Sequence, residues 1–355
     1  LTLTGQPSED ESMAELGRRV RVGGPHFEDL AHGQVFHDAP AVTLTDGHAA
    51  VCQAILGDRL RLPLDAALGA AVTGSAAALA HPMLVCNVVI GQSTGPSQRV
   101  RGNLFYRGLV LLRPVFIGDS LRTRTEVVGL KQNAVREGRP PTGLVALRIR
   151  SENQRGEPVL DFWRCPMLPL ASPGLGTGHA DTFDGIPEDV DRARVEAVVP
   201  ATWRLDAFRA ACPGPHFADL EEGTLFEVEG RDTVTCAPEL ARLTLNLAQT
   251  HTDAGASAYG RRLVYGGHTI SIAAAQMVRA LPNLLTILAW RGCDHLAPVF
   301  EEDVLRSEVE VVGLHPLDGG GGLVEMRITT HATRAGGEAG DEVQVLDWRL
   351  WGLMA

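Results

Sequence analysis

Two stretches of the chain alternate polar and apolar residues in the period of a half-buried strand, SLRTRTEVVGL at 120–130 and VLRSEVEVVGL at 304–314. Further on, LHPLDGGGGLVEMRITTHATR at 314–334 reads as strand, glycine-rich hairpin turn and strand, and QVLDWRLWGLM at 344–354 closes with another strand. Ahead of each series stands a segment that is apolar nearly all round, HPMLVCNVVIGQ at 81–92 and HTISIAAAQMVRAL at 268–281. A helix with no polar face has to be covered on several sides. The pattern therefore predicts an α+β protein in which each helix is wrapped by a curled antiparallel sheet.

The two series are copies of one another. GPHFEDLAHGQVF at 24–36 returns as GPHFADLEEGTLF at 214–226, and PVFIGDSLRTRTEVVGL at 114–130 as PVFEEDVLRSEVEVVGL at 298–314. GLVALRIR at 143–150 matches GLVEMRIT at 322–329, and VLDFWR at 159–164 matches VLDWR at 345–349. Four blocks in the same order mark a tandem duplication, and two copies of this length are domain-sized units rather than a solenoid. The expected fold is a double hot dog, with a mobile tail over 1–20, an N-terminal unit over 21–169 and a C-terminal unit over 214–355. Between them, 170–213 is rich in Gly, Pro and acidic residues and reads as a linker with a short helix over 202–211, long enough for the two sheets to abut edge to edge.

Composition narrows the chemistry. The 355 residues carry a formal net charge of −11, which disfavours nucleic acid and anionic lipid as partners. Cysteines at 52, 86, 165, 212, 236 and 293 form no CxxC pair, so neither a zinc site nor a disulfide framework is expected. Lys131 is the only lysine, and no GxxxxGK[ST] loop occurs, which leaves little room for Schiff-base or phosphate-loop chemistry. No apolar stretch approaches the roughly eighteen residues of a membrane span, and the opening LTLTGQPSEDESMAELGRR is not of signal-peptide type. A cytoplasmic protein without metal or cofactor is the expectation.

The segment NLAQTHTDAGASAYGRRLVYGGH at 246–268 resembles the signature of MaoC-like enoyl-CoA hydratases, and more closely that of the double hot dog mesaconyl-CoA hydratases, also called β-methylmalyl-CoA dehydratases. In that signature a polar residue is followed five positions later by a histidine and then by a glycine at a helix start. The resemblance covers nearly the whole chain and places Asn246, His251 and Gly267 at the catalytic positions, with Asn246 where many single-domain relatives carry Asp. It implies addition of water to an α,β-unsaturated acyl-CoA. On this reading His251 takes the proton of the water, Asn246 orients it, and the Gly267 amide holds the thioester oxygen.

Nearby residues are candidates for the ligand. Arg261 and Arg262 suit CoA phosphates or a substrate carboxylate, and read equally as an exposed basic loop. Gly266 reads as the helix-start turn, Tyr265 as a donor or a packing ring, and His268 as a first-turn residue; Arg291 and His295 are further candidates to flank the thioester. In the first copy the block at 45–65 sets Leu56 opposite Asn246 and Arg61 opposite His251, and Pro82 and Met83 stand in place of the glycine pair. One active site per chain is therefore expected, with the first copy a scaffold or acyl pocket. The readings are an acyl-CoA hydratase/dehydratase for a short branched dicarboxylic acyl-CoA such as mesaconyl-CoA, a general (R)-specific enoyl-CoA hydratase, a thioesterase using Asp253, or a non-catalytic acyl-CoA-binding protein. Monomer and homodimer are both compatible with the duplication.

Overall fold

The computed structural model describes residues 20, 22–172, 174, 176–337 and 341–355, so the tail expected over 1–20 lies outside the described residues except for Val20. Among the described residues, twelve strands form one antiparallel sheet. In chain order they are β1 (Val35–Phe36), β2 (Val42–Thr43), β3 (Gly102–Leu111), β4 (Ser120–Gln132), β5 (Thr142–Glu152), β6 (Pro158–Pro169), β7 (Leu225–Glu227), β8 (Asp232–Thr233), β9 (Leu284–His295), β10 (Val304–Pro316), β11 (Gly322–Thr333) and β12 (Glu342–Met354). The order across the sheet is β1-β4-β5-β6-β3-β9-β12-β11-β10-β7, with β2 on β4 and β8 on β10. This order mirrors itself about the β3–β9 pair, where Phe105 faces Asp294 and Val110 faces Ala289. The duplication thus appears as two half-sheets joined edge to edge, each closing the other's open edge.

Register corrects one detail of the repeat. Arg164 lies opposite Tyr106 and Leu147, and Leu350 lies opposite Trp290 and Met326. VLDFWR therefore matches VLDWRL residue for residue, and Arg164 corresponds to Leu350, not to Arg349 as the shorter sequence match suggests.

Each half-sheet wraps one central helix, Pro82–Gln92 in the first copy and Gly266–Ala280 in the second. All eleven residues of the first helix are buried, which is why its sequence has no polar face. Proline opens it, where the amide hydrogen has no intrahelical acceptor, and the ring of His81 accepts from the Met83 amide at 3.1 Å. The second helix begins at the glycine pair and has no side-chain cap. The helices pack together, and Asn87 of the first donates to Ser271 of the second at 2.8 Å inside the core.

The linker is structured. Helices Arg192–Glu196 and Leu205–Ala211 bury Val195 and Phe208, and with Trp203 they share one apolar cluster with Val110, Leu288 and Trp351 of the sheet.

Candidate active site

A cavity of about 230 Å³ opens between the copies. The second copy contributes Asn246, His251, Tyr259, Tyr265, Gly266 and His295 to its wall, and the first contributes Thr94, Arg101, Asn103, Tyr106 and Arg164. Its volume lies at or below the small end of ligand pockets, which suits a short acyl group.

The segment carrying Asn246 and His251 is docked on the first copy. A Cβ on Gly91 would lie 1.8 Å from the Thr244 carbonyl oxygen, so only glycine in the first central helix lets this backbone approach. The Leu247 amide donates to Thr94 Oγ1 at 2.9 Å and the Gln249 amide to the Gln98 carbonyl at 2.9 Å. Leu245 takes a left-handed φ of 58° to turn the chain there.

His251 is buried, and its Nδ1 bonds the Leu263 carbonyl at 2.8 Å. A carbonyl only accepts, so Nδ1 carries the hydrogen and Nε2 presents a lone pair. Burial pushes the pKa down to about 4, against a smaller upward pull from the Leu263 carbonyl. The ring is therefore neutral near pH 7, the form a general base requires. The Asn246 Oδ1 accepts from the Ala248 amide at 2.9 Å, which leaves Nδ2 as the donor this side chain can offer a ligand.

The glycine pair is explained by its neighbours. A Cβ on Gly266 would lie 2.6 Å from His295 Nε2, and one on Gly267 would lie 2.1 Å from Asn87 Oδ1 and 2.7 Å from the Tyr265 ring. Gly266 forms cavity wall; Gly267 is not among the wall residues and instead permits the crossing of the two helices. Neither amide has an acceptor among the described residues, as expected for the first two positions of an uncapped helix. The Tyr265 hydroxyl donates to the Asn87 carbonyl at 3.1 Å, and its ring lies 5.6 Å from that of His251.

Other expected ligand residues stand elsewhere. Arg261 stacks on Phe300 with its guanidinium carbon 3.5 Å from the ring centre, and Arg262 pairs with Glu301; neither lines the cavity. His268 is fully buried with both ring nitrogens unpartnered, and desolvation holds its pKa at about 4. It stands in the first turn of the helix as expected, but its ring is buried in the core instead of facing solvent. Arg291 is engaged by Asp189 and Glu325, and exposed Asp253 accepts from the Gly255 amide at 2.8 Å, so both are outside the wall. Among the described residues no group of three or more His, Cys, Asp or Glu is placed to hold a metal.

Of the flanking candidates, His295 does reach the wall; its buried Nε2 is unpartnered, and desolvation lowers its pKa to about 4. Arg101, Asn103, Tyr106 and Arg164 are wall residues that sequence reasoning missed. They belong to the other copy, and the only sequence signal for them was the duplication itself, which gives no cross-copy register.

The equivalent place in the first copy is filled. Ala80, Pro82, Leu111 and Val115 form its wall, Thr286, Ile287 and Leu288 stand where Gly102, Asn103 and Leu104 line the open cavity, and Val198, Pro200 and Trp203 of the linker occupy it, leaving about 30 Å³. Arg61, the sequence counterpart of His251, turns away and donates to the Pro282 carbonyl at 3.1 Å.

No model of a known protein family matches the chain. Among curated proteins, mesaconyl-CoA hydratase of Cereibacter sphaeroides is 31% identical over 314 residues, 86% of this chain and 88% of its own. β-Methylmalyl-CoA dehydratase of Chloroflexus aurantiacus is 28% identical over 319 residues, 88% of each chain. Among solved structures, a conserved hypothetical protein of Mycobacterium tuberculosis with a double hot dog fold is 49% identical, with a TM-score of 0.87 over 95% of this chain and 100% of the other. A MaoC domain protein dehydratase from Chloroflexus aurantiacus is 26% identical, with a TM-score of 0.78 over 93% and 97% of the two chains. With the mirrored sheet and the open cavity between its halves, these relationships place the chain in the MaoC-like double hot dog hydratases, the family of mesaconyl-CoA hydratase and β-methylmalyl-CoA dehydratase.

Proposed function

We propose that this enzyme adds water to, or removes it from, a short branched dicarboxylic acyl-CoA such as mesaconyl-CoA, with His251 as the base. The observation that supports this best is a neutral, buried imidazole whose Nδ1 is tied to Leu263, in one cavity with an uncapped helix start. In the hydration direction, His251 Nε2 takes a proton from water as the hydroxyl bonds to the β-carbon. The electron pair of the double bond moves toward the thioester, whose oxygen is held at the helix start by the free amide of Gly266, the glycine that lines the cavity, in place of the expected Gly267 amide, with the helix dipole behind it. The imidazolium formed on His251 then supplies the proton that the α-carbon must gain, so one water enters the product. Asn246 donates through Nδ2 to the water oxygen and does not titrate.

The outer cavity suits the CoA arm. Leu104, Tyr259 and Leu296 line the cavity and stay exposed, an apolar mouth for pantetheine, and half-buried Arg101 offers a cation there in place of Arg261 and Arg262.

The test is to incubate the protein with mesaconyl-CoA and crotonyl-CoA, following loss of enoyl-thioester absorbance and release of free thiol separately. Hydration without thiol release is expected. His251→Ala should reduce the rate by at least about 100-fold with CoA binding retained, the range of a lost general base. Thiol release without hydration would mark a thioesterase, and binding without turnover a carrier; either outcome would overturn the proposal.

A further inference from the structure

The cavity wall contains a charge with no counter-charge. Arg164 is 3% exposed, and a residue of this type is rarely buried so deeply without an acid beside it. Its Nε donates to Ser93 Oγ at 3.1 Å, and its Nη2 donates to the Ser93 carbonyl at 2.7 Å and Ser97 Oγ at 2.9 Å. These partners are neutral. Among the described residues no carboxylate pairs with it, and Nη1 has no acceptor. The surroundings weaken rather than favour the charge, since desolvation pulls its pKa down.

Nor does the fold demand a cation at this place. The register sets Arg164 where the second copy has Leu350, also buried, opposite Trp290 as Arg164 is opposite Tyr106. Leucine satisfies the same position in the half whose equivalent wall lines no open cavity. Arginine stands only in the half that borders one. An unpaired buried cation destabilises the fold unless something compensates it. The turn after the first central helix holds the guanidinium by its Nε edge and leaves Nη1 for a ligand.

We infer that Arg164 is the receptor for a second carboxylate on the acyl group, the determinant that makes this site select dicarboxylic over monocarboxylic acyl-CoA. The inference rests on the reading of the ligand as an acyl-CoA, and it deepens that reading by naming where the far end of the acyl group is held. The receptor comes from the copy without the base: His251 and the helix-start amide act on the thioester end, and Arg164 fixes the opposite end from across the interface. A carboxylate bound by a guanidinium through charge-assisted hydrogen bonds also places the double bond at a set distance from the base.

The test uses two pairs of thioesters that differ in the far carboxylate. Succinyl-CoA and butyryl-CoA are saturated, so calorimetric binding of them is independent of hydration; mesaconyl-CoA and crotonyl-CoA report turnover. The wild-type protein should prefer succinyl-CoA to butyryl-CoA by about 30-fold or more, as expected for hydrogen bonds to a charged group. Arg164→Leu, which installs the residue of the other copy, should erase that preference by weakening succinyl-CoA while butyryl-CoA stays within about twofold. Arg164→Gln, which keeps a donor for Ser93 and Ser97 without the charge, should do the same and decides the matter where the leucine variant does not fold. For turnover, the preference for mesaconyl-CoA over crotonyl-CoA in kcat/KM should fall by about 30-fold in both variants. A wild-type protein without the preference, or variants that weaken both saturated ligands equally, would assign Arg164 to the turn alone and overturn the inference. Absence of turnover on either enoyl-CoA, with the binding preference present and lost in the variants, would remove the hydratase reading and leave the receptor standing.

Discussion

Gly266 and Gly267 are adjacent and identical, yet the surroundings give them different duties. Alanine at 266 drives a Cβ into the His295 ring, the movable end of a side chain that borders the cavity. Gly266→Ala should therefore lower hydration at least about tenfold with the melting temperature nearly unchanged, because His295 turns into the space the ligand needs. Alanine at 267 meets Asn87 and Tyr265 inside the helix crossing, where neither can withdraw. Gly267→Ala should cost about 1–3 kcal/mol of stability, the range for overpacking a core, read from denaturant unfolding. Equal effects of the two substitutions on stability would contradict this division. The sequence marked the pair as a helix start, and the Asn246–His251 spacing as a signature. It did not distinguish the two glycines, since the atoms that do so, on Asn87 and His295, are remote along the chain.

At the level of elements, the site depends on one contact between the first central helix and the segment before Asn246. Gly91 is the residue that allows it, because any side chain there collides with the backbone of Thr244. Gly91→Ala should push the 244–251 segment away, breaking the bonds from Leu247 to Thr94 and from Gln249 to Gln98, and should abolish hydration. Hydrogen exchange of the Leu247 and Gln249 amides would report the undocking, and retained protection would count against it. Both central helices and the hairpin strands were legible from apolar periodicity, for a physical reason: an element apolar all round has to be wrapped. Linker packing was not legible, because Gly, Pro and acidic residues signal exposure and the three side chains that fill the equivalent place in the first copy, Val198, Pro200 and Trp203, carry no local pattern.

The whole molecule stores titratable groups in their neutral form. His251, His268 and His295 are each held at a pKa of about 4 by burial, against 6.5 for a free imidazole. A pKa lowered by folding means that the unfolded chain binds protons first, so the stability they contribute is complete above about pH 6.5 and is lost as pH falls toward 4. Melting temperature should therefore drop across that window, and His268→Leu, which removes an imidazole with no partner and no place in the cavity, should flatten the slope. An unchanged slope would show that His268 does not titrate there. By itself the sequence determined the duplication, the wrapped helices, the family and the Asn246–His251 signature, because these are written in local periodicity and in repeated or spaced residues. Only the tertiary structure decided that the cavity holding Asn246 and His251 lies between the copies, that the linker fills its counterpart, and that the arginines in the cavity wall are Arg101 and Arg164, not Arg261 or Arg262. Those outcomes depend on cross-copy register and on burial, and a buried arginine reads in the chain like any exposed one.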